Sequence, residues 1–144
     1  MIRILSLLTF LLFIGTSCKT YQLDDLPPKQ LHFGSGGGFA GAFTSYLLLE
    51  NGQFFRKDGL NGTFEPLDRV KKTHAKALFR QWETAQLAKL DFDHPGNLYH
   101  FVSMMSGDTT YRLSWGAMDY PANDAMKSFY ESCKKMIPAA PPTK

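Results

Sequence analysis

The chain has 144 residues, 44% of them hydrophobic and 20% charged, with two cysteines and a formal net charge of +3. That length holds one domain and leaves no room for a second with its own core, and the composition excludes a wholly disordered or collagen-like chain. So weak a positive charge gives no ground for a nucleic-acid partner.

Eleven apolar residues fall before Ser17, and Ile4 to Ile14 is interrupted only by Ser6 and Thr9. Arg3 provides a positive start, and the small residues Gly15, Thr16 and Ser17 precede Cys18. A positive end, a short apolar stretch and a small-residue cleavage site define a secretory signal. The run is short of the roughly 20 apolar residues that a membrane-spanning helix needs.

The stretch Ile14-Gly15-Thr16-Ser17-Cys18 resembles the signal of Gram-negative bacterial lipoproteins, departing from it at Gly15, where that motif usually carries leucine. The resemblance implies cleavage before Cys18, a diacylglyceryl group on its sulfur and acylation of the new amino group. Two or more acyl chains anchor a protein stably where one does so only marginally. Lys19 follows, where aspartate would imply retention in the inner membrane, so the expected location is the outer membrane. Ordinary signal cleavage, with Cys18 free to pair with Cys133, is the alternative.

Residues 19–30 carry polar side chains and a Pro27-Pro28 pair without periodicity. The expected organisation is a signal peptide over 1–17, a flexible tether over 18–30, one α+β domain over 31–137 and a disordered tail over 138–144. Within the domain, Ala42 to Glu50 predicts a strand, and Asn51-Gly52 a hairpin turn with positive φ at both positions, leading to Gln53–Lys57. A third strand is expected over Gly62–Glu65, with Pro66 ending it or placing it at an edge. Thr73 is expected to cap a helix burying Ala75, Leu78, Phe79, Trp82 and Ala85. Leu98–Ser106 and Thr109–Trp115 predict a hairpin through Gly107-Asp108. A closing helix from Asn123 to Met136 is expected to bury Met126, Phe129, Tyr130, Cys133 and Ile137. The order β-β-β-α-β-β-α predicts an antiparallel sheet of about five strands with both helices on one face.

Chemistry-bearing segments are few. Gly36, Gly38 and Gly41 formally satisfy G-x-G-x-x-G, but a dinucleotide site needs that loop to open a helix, and a strand-like stretch follows instead. The segment predicts either a turning entry to a strand or a backbone-lined groove for a ligand. Asp91, Asp93 and Gly96 imitate a calcium loop, yet Pro95 stands at its fifth position and Val102 where a bidentate glutamate is required. His32, His74, His94 and His100 lack metal-ligand spacing, so neither metal nor cofactor is expected. Arg69, Lys72, Lys76 and Arg80 share one side of the first helix. They form either a solvated face, with Glu83 pairing Arg80, or a contact for anionic lipid.

The G-G-G-F-A-G segment, the Asn-Gly hairpin, the Pro-Gly-Asn turn and Trp115-Gly116 resemble those of small envelope lipoproteins, a resemblance that implies no activity. The expected function is a lipid-anchored, non-enzymatic binding or interaction module, with the membrane and an envelope protein or small ligand as partners. Its candidate surface comprises Gly36, Gly37, Gly38 and Phe39, the turn Pro95, Gly96 and Asn97, and the loop from Trp115 to Tyr120. The alternative is a small hydrolase or enzyme-inhibitor-like protein using Asp91, Asp93, His94 and His100.

Overall fold

The computed structural model describes residues 19–139. The segment expected as a signal peptide, Cys18 and residues 140–144 of the expected tail lie outside the described residues. The strands are β1 (Lys29–Gly37), β2 (Ala42–Leu48), β3 (Phe54–Asp58), β4 (Glu65–Leu67), β5 (Asp93–His94), β6 (Leu98–Ser106) and β7 (Thr109–Trp115). The helices are α1 (Lys72–Thr84) and α2 (Asp124–Lys134), with a 3-10 turn at Leu87–Lys89. All seven strands form one sheet in the order β4-β3-β2-β1-β6-β7-β5.

The protein is thus α+β, but the sheet is larger than the expected five strands, and mixed rather than antiparallel. Its β5 runs parallel to β7 over Asp93↔Ser114 and His94↔Trp115. The third strand lies later than expected, at Glu65–Leu67, with Pro66 on the sheet edge where a missing N–H leaves no central ladder bond unmade. The largest difference is β1. It occupies the centre of the sheet, bonded to β2 on one side and β6 on the other.

The glycines explain how so sparse a segment becomes a central strand. Leu31 and Phe33 point into the core, while Gly34 and Gly36 alternate onto the other face. A Cβ on Gly34 would lie 2.1 Å from Thr44 O and 3.1 Å from a Phe101 ring carbon; one on Gly36 would lie 2.6 Å from the Tyr99 hydroxyl. Neighbouring backbone and rings therefore fill the space a β1 side chain would take. The Phe43 and Phe101 rings, on the strands either side of β1, stack with centroids 5.9 Å apart and planes 5° apart.

Both helices pack on the other face. Ala75, Leu78, Phe79 and Trp82 of α1 and Met126, Phe129, Tyr130 and Cys133 of α2 share one core with Leu31, Phe33, Leu48, Phe54, Val102, Met104, Leu113 and Trp115. Trp82 and Phe129 join the helices edge to face, 5.5 Å between centroids. Asn123 caps α2 by accepting a hydrogen bond from Met126 N–H at 2.9 Å. At α1 the expected cap is displaced: Thr73 lies inside the first turn, and Lys71 holds the cap position without a side-chain bond.

The β2–β3 hairpin forms around Asn51-Gly52 by a different turn. Gly52 alone has positive φ (89°), and its N–H donates to Leu49 O. Leu49 N–H in turn donates to Gln53 O, which makes a three-residue loop ending in a left-handed glycine.

Residues 19–28, expected as part of a flexible tether, lie against the sheet. Tyr21 and Leu26 pack with Phe64 on a second cluster of Leu47, Leu49 and Phe55, on the face opposite the helices. Gln53 clamps the segment: its Oε1 accepts from Tyr21 N–H at 2.7 Å and its Nε2 donates to Tyr21 O at 2.9 Å. Lys29 and Gln30 already belong to β1. At the other terminus, Pro138 and Ala139 line a groove with Tyr46, Pro66 and Leu67.

Candidate functional site

Strand directions divide the sheet into two ends. The hairpin end carries residues 49–53 and 107–108 together with the N-terminal segment; the loop end carries residues 38–41, 59–64, 95–97 and 116–121. The candidate residues belong to the loop end, and the chain packs three of its loops through their backbones.

Gly38 N–H donates to Asn97 O at 2.7 Å, and a Cβ on Gly37 would sit 1.9 Å from that same oxygen. Gly37 and Gly38 have φ of 95° and 82°, so both the turn and the close approach require glycine here. On the far side of the turn, a Cβ on Gly96 would lie 2.4 Å from Gly116 O, and Ala117 N–H donates to His94 O at 3.1 Å. The glycine loop, the Pro95–Asn97 turn and the loop after Trp115 therefore meet. The G-x-G-x-x-G stretch passes from β1 into β2, strand to strand, with no helix at its end to receive a phosphate.

Their side chains have different fates. Phe39 and Met118 are fully exposed at the loop tips, with Leu98 and Tyr120 largely exposed beside them. Of the seven exposed large hydrophobics in the described residues, these four and Leu60 lie at the loop end; only Leu23 and Tyr111 lie elsewhere. Trp115, by contrast, is a core residue, its ring edge-on to Tyr130 at 5.3 Å. Tyr120 stacks flat on His94, 4.0 Å between centroids and 3° between planes, with the edge of Phe92 on the imidazole. A groove of about 230 Å³ opens beside the glycine loop, lined by Gly36, Gly37, Phe43, Leu98, Tyr99 and His100 among others. Neither Pro95–Asn97 nor the loop after Trp115 contributes to it.

The acid and imidazole groups do not converge. Asp93 accepts a hydrogen bond from the Ser114 hydroxyl, on the face away from the helices. His100 lies on the helix face, with its Nδ1 3.2 Å from the Tyr130 hydroxyl. Burial lowers the His100 pKa below the usual imidazole value, with Lys134 adding to the effect, and burial pushes the Tyr130 phenol up to about 12. His94 is taken up by its aromatic neighbours, and Asp91 is exposed. Ser35 stands opposite His100 in the register, but with Asp93 across the sheet no Ser–His–Asp set forms. Among the described residues no three His, Cys, Asp or Glu side chains group as metal ligands.

The face opposite the helices holds residues that sequence patterning missed. Arg112 lies 4.3 Å over the Phe101 ring and Lys57 5.7 Å over Phe43, so two cations flank the stacked pair. His32 lies beside them, edge to face with Phe64 and 3.1 Å from Gln30 Oε1. Burial, together with Lys57 and Arg112, lowers its pKa to about 4. Only the pairing of β3, β2, β1, β6 and β7 side by side reveals this row, because its members are spread over the sequence. The expected Glu83–Arg80 pair is also replaced: Glu83 reaches Lys29 at 2.8 Å instead.

No known family model matches the chain. No curated protein matches it in sequence.

Proposed function

We propose that the protein is a lipid-anchored, non-enzymatic binding module of the cell envelope that takes an envelope protein or small ligand at the loop end of its sheet. The observation that carries this is the concentration of exposed apolar side chains on loops locked together by backbone contacts. Phe39, Leu98, Met118 and Tyr120 sit on the rim formed by these loops, and exposed apolar side chains gathered at one end support an interaction site there. Rigidity matters because loops already ordered lose less conformational entropy on binding. Anchoring is supported by the lipoprotein-like segment before Cys18, and the outer membrane by Lys19 after it. Among the described residues no helix is long and apolar enough to cross a membrane. The hydrolase alternative would need Asp93 and His100 on one face, and no observation favours it.

Photo-crosslinking amino acids at Phe39 and Met118 in growing cells test the binding surface, with Leu23 and Tyr111 as controls. A reproducible adduct from the loop positions alone is expected; adducts from none, or equally from all four, would overturn the assignment. For the anchor, the intact mass of the membrane-extracted protein should show diacylglyceryl and acyl groups on Cys18. A Cys18→Ser chain that stayed membrane-bound and normally processed would sink it.

A further inference from the structure

A second cavity lies at the hairpin end, far from the loops just described. It encloses about 400 Å³, and its wall brings together Lys19, Lys29, Lys72 and Lys76 with Tyr21 and Glu50. Three separate stretches supply the lysines: the N-terminal segment, the first residue of β1, and α1. The N-terminal segment is fixed there. Asn51 Nδ2 donates to Lys19 O at 2.7 Å, and the Lys19 ammonium lies 4.7 Å over the Tyr21 ring. Arg69 donates to the Thr20 hydroxyl at 2.8 Å and brings a further cation to the same region.

The charge is not balanced within the protein. Lys29 is paired with Glu50 at 3.3 Å and with Glu83 at 2.8 Å. The other ion pairs among the described residues are Arg56–Asp58 and Lys134–Glu131, so Lys19, Lys72 and Lys76 enter none. Ammonium groups gathered around one cavity repel each other, and an anion seated between them turns that repulsion into attraction. The volume suits a small ligand headgroup. The position selects its source. Lys19 stands at the cavity and directly follows Cys18, the residue proposed to carry the lipid anchor, so the bilayer holding that anchor would lie close to the lysines. Basic side chains beside a membrane segment are attracted to anionic lipid, and tyrosine is enriched at the membrane interface.

We infer that this cavity binds the phosphate-bearing headgroup of an anionic phospholipid and holds the hairpin end of the domain against the bilayer. The inference rests on the proposed anchoring at Cys18, but not on the loop-end site. Binding by the cavity itself needs no anchor, so its probe is supplied in solution. The full chain in a neutral maltoside detergent is titrated with dihexanoyl phosphatidylglycerol, and acetylation of each lysine is followed by mass spectrometry. Slowed acetylation of Lys19, Lys72 and Lys76, with Lys127 and Lys135 on and after α2 unchanged, is expected. Dihexanoyl phosphatidylcholine and inorganic phosphate at equal concentration should give no such protection. Each cation removed should weaken binding about fivefold, so in the Lys72→Gln/Lys76→Gln chain Lys19 should lose most of its protection. Equal protection by phosphatidylcholine, uniform protection of all lysines, or an unchanged response of the double variant would overturn the inference. Full protection by inorganic phosphate would replace it with a site for soluble anions. Intact-mass analysis of Cys18 reports on the anchor separately.

Discussion

Substituting alanine for Gly34 should destabilise the protein far more than the same change at Gly36. Both residues face away from the helices on the central strand, and neither has the positive φ that would strain alanine by itself. What differs is the atom each new methyl meets. At position 34 it is the backbone oxygen of Thr44 at 2.1 Å, where ordinary contact begins at about 3.4 Å. The deficit exceeds 1 Å, and the oxygen belongs to a strand paired with β1 along its length, so β2 must separate locally from β1. Overpacking of this kind costs about 1–3 kcal/mol. A weakened ladder bond adds about 1 kcal/mol, and the reduced freedom of the unfolded chain returns about 0.4–1 kcal/mol. The net loss is about 1–3.5 kcal/mol, or a Tm lower by about 4–14 °C for a domain of this size. At position 36 the methyl meets the half-buried Tyr99 side chain, which can swing aside, so the change should stay below about 1 kcal/mol. Urea unfolding followed by the fluorescence of the buried Trp82 and Trp115 measures both. Equal midpoints for the two variants, or a Gly34→Ala protein as stable as the parent, would refute the packing argument.

Other outcomes follow from single contacts. Gln53→Ala removes both bonds to the Tyr21 backbone. It should cost about 1–2 kcal/mol and speed hydrogen exchange at residues 21–26; unchanged exchange there would show that the clamp does not hold the segment. His32 has a folded pKa near 4 against 6.5 for the free side chain. The unfolded chain therefore takes up the proton first as pH falls, and the His32 contribution, complete above about pH 6.5, is lost towards pH 4. The slope is at most about 1.4 kcal/mol per pH unit, and a His32→Leu chain should lack that component when its urea midpoints are compared with the parent's across this range. Cys133 is fully buried, and burial pushes its thiol well up from the ordinary value. It should resist a thiol-disulfide reagent at pH 8 until urea unfolds the domain; rapid native reaction would contradict its place in the core. Serine at Phe39 and Met118 should change stability by less than about 0.5 kcal/mol while abolishing capture of a partner at the loop end.

The two-stranded alternation of 98–115 and the apolar faces of both helices were legible because their side chains carry the period directly. Tyr111, Leu113 and Trp115, or Ala75, Leu78, Phe79 and Trp82, announce a face whatever packs on it. β1 was not legible for the opposite reason. Gly34 and Gly36 leave one face of the strand blank, and the groups that fill it come from Thr44, Tyr99 and Phe101. β5 escaped because two residues cannot display a period, and its parallel pairing to β7 depends on a partner 21 residues away. The docking of Tyr21 and Leu26 depends on Leu47, Leu49 and Phe55, which no local pattern links to them. At the candidate site, the turns at 37–41 and 95–97 were visible as glycine and proline punctuation. Their mutual contact, like the gathering of Lys19 with Lys72 and Lys76, arises only when the strands pair.

The placement of the N-terminal segment makes the domain a ruler. Lys19 and Tyr21 are held at the hairpin end by Asn51 and Gln53, while Phe39 and Met118 project from the opposite end. Between them runs β1, nine residues long, which at about 3.3 Å per residue spans about 30 Å. While the clamp holds, wherever residue 18 is fixed, the apolar tips are carried that distance away from it and cannot fold back to the same surface. A partner would have to come from beyond, and releasing the Gln53 clamp would lengthen the reach without altering the rim.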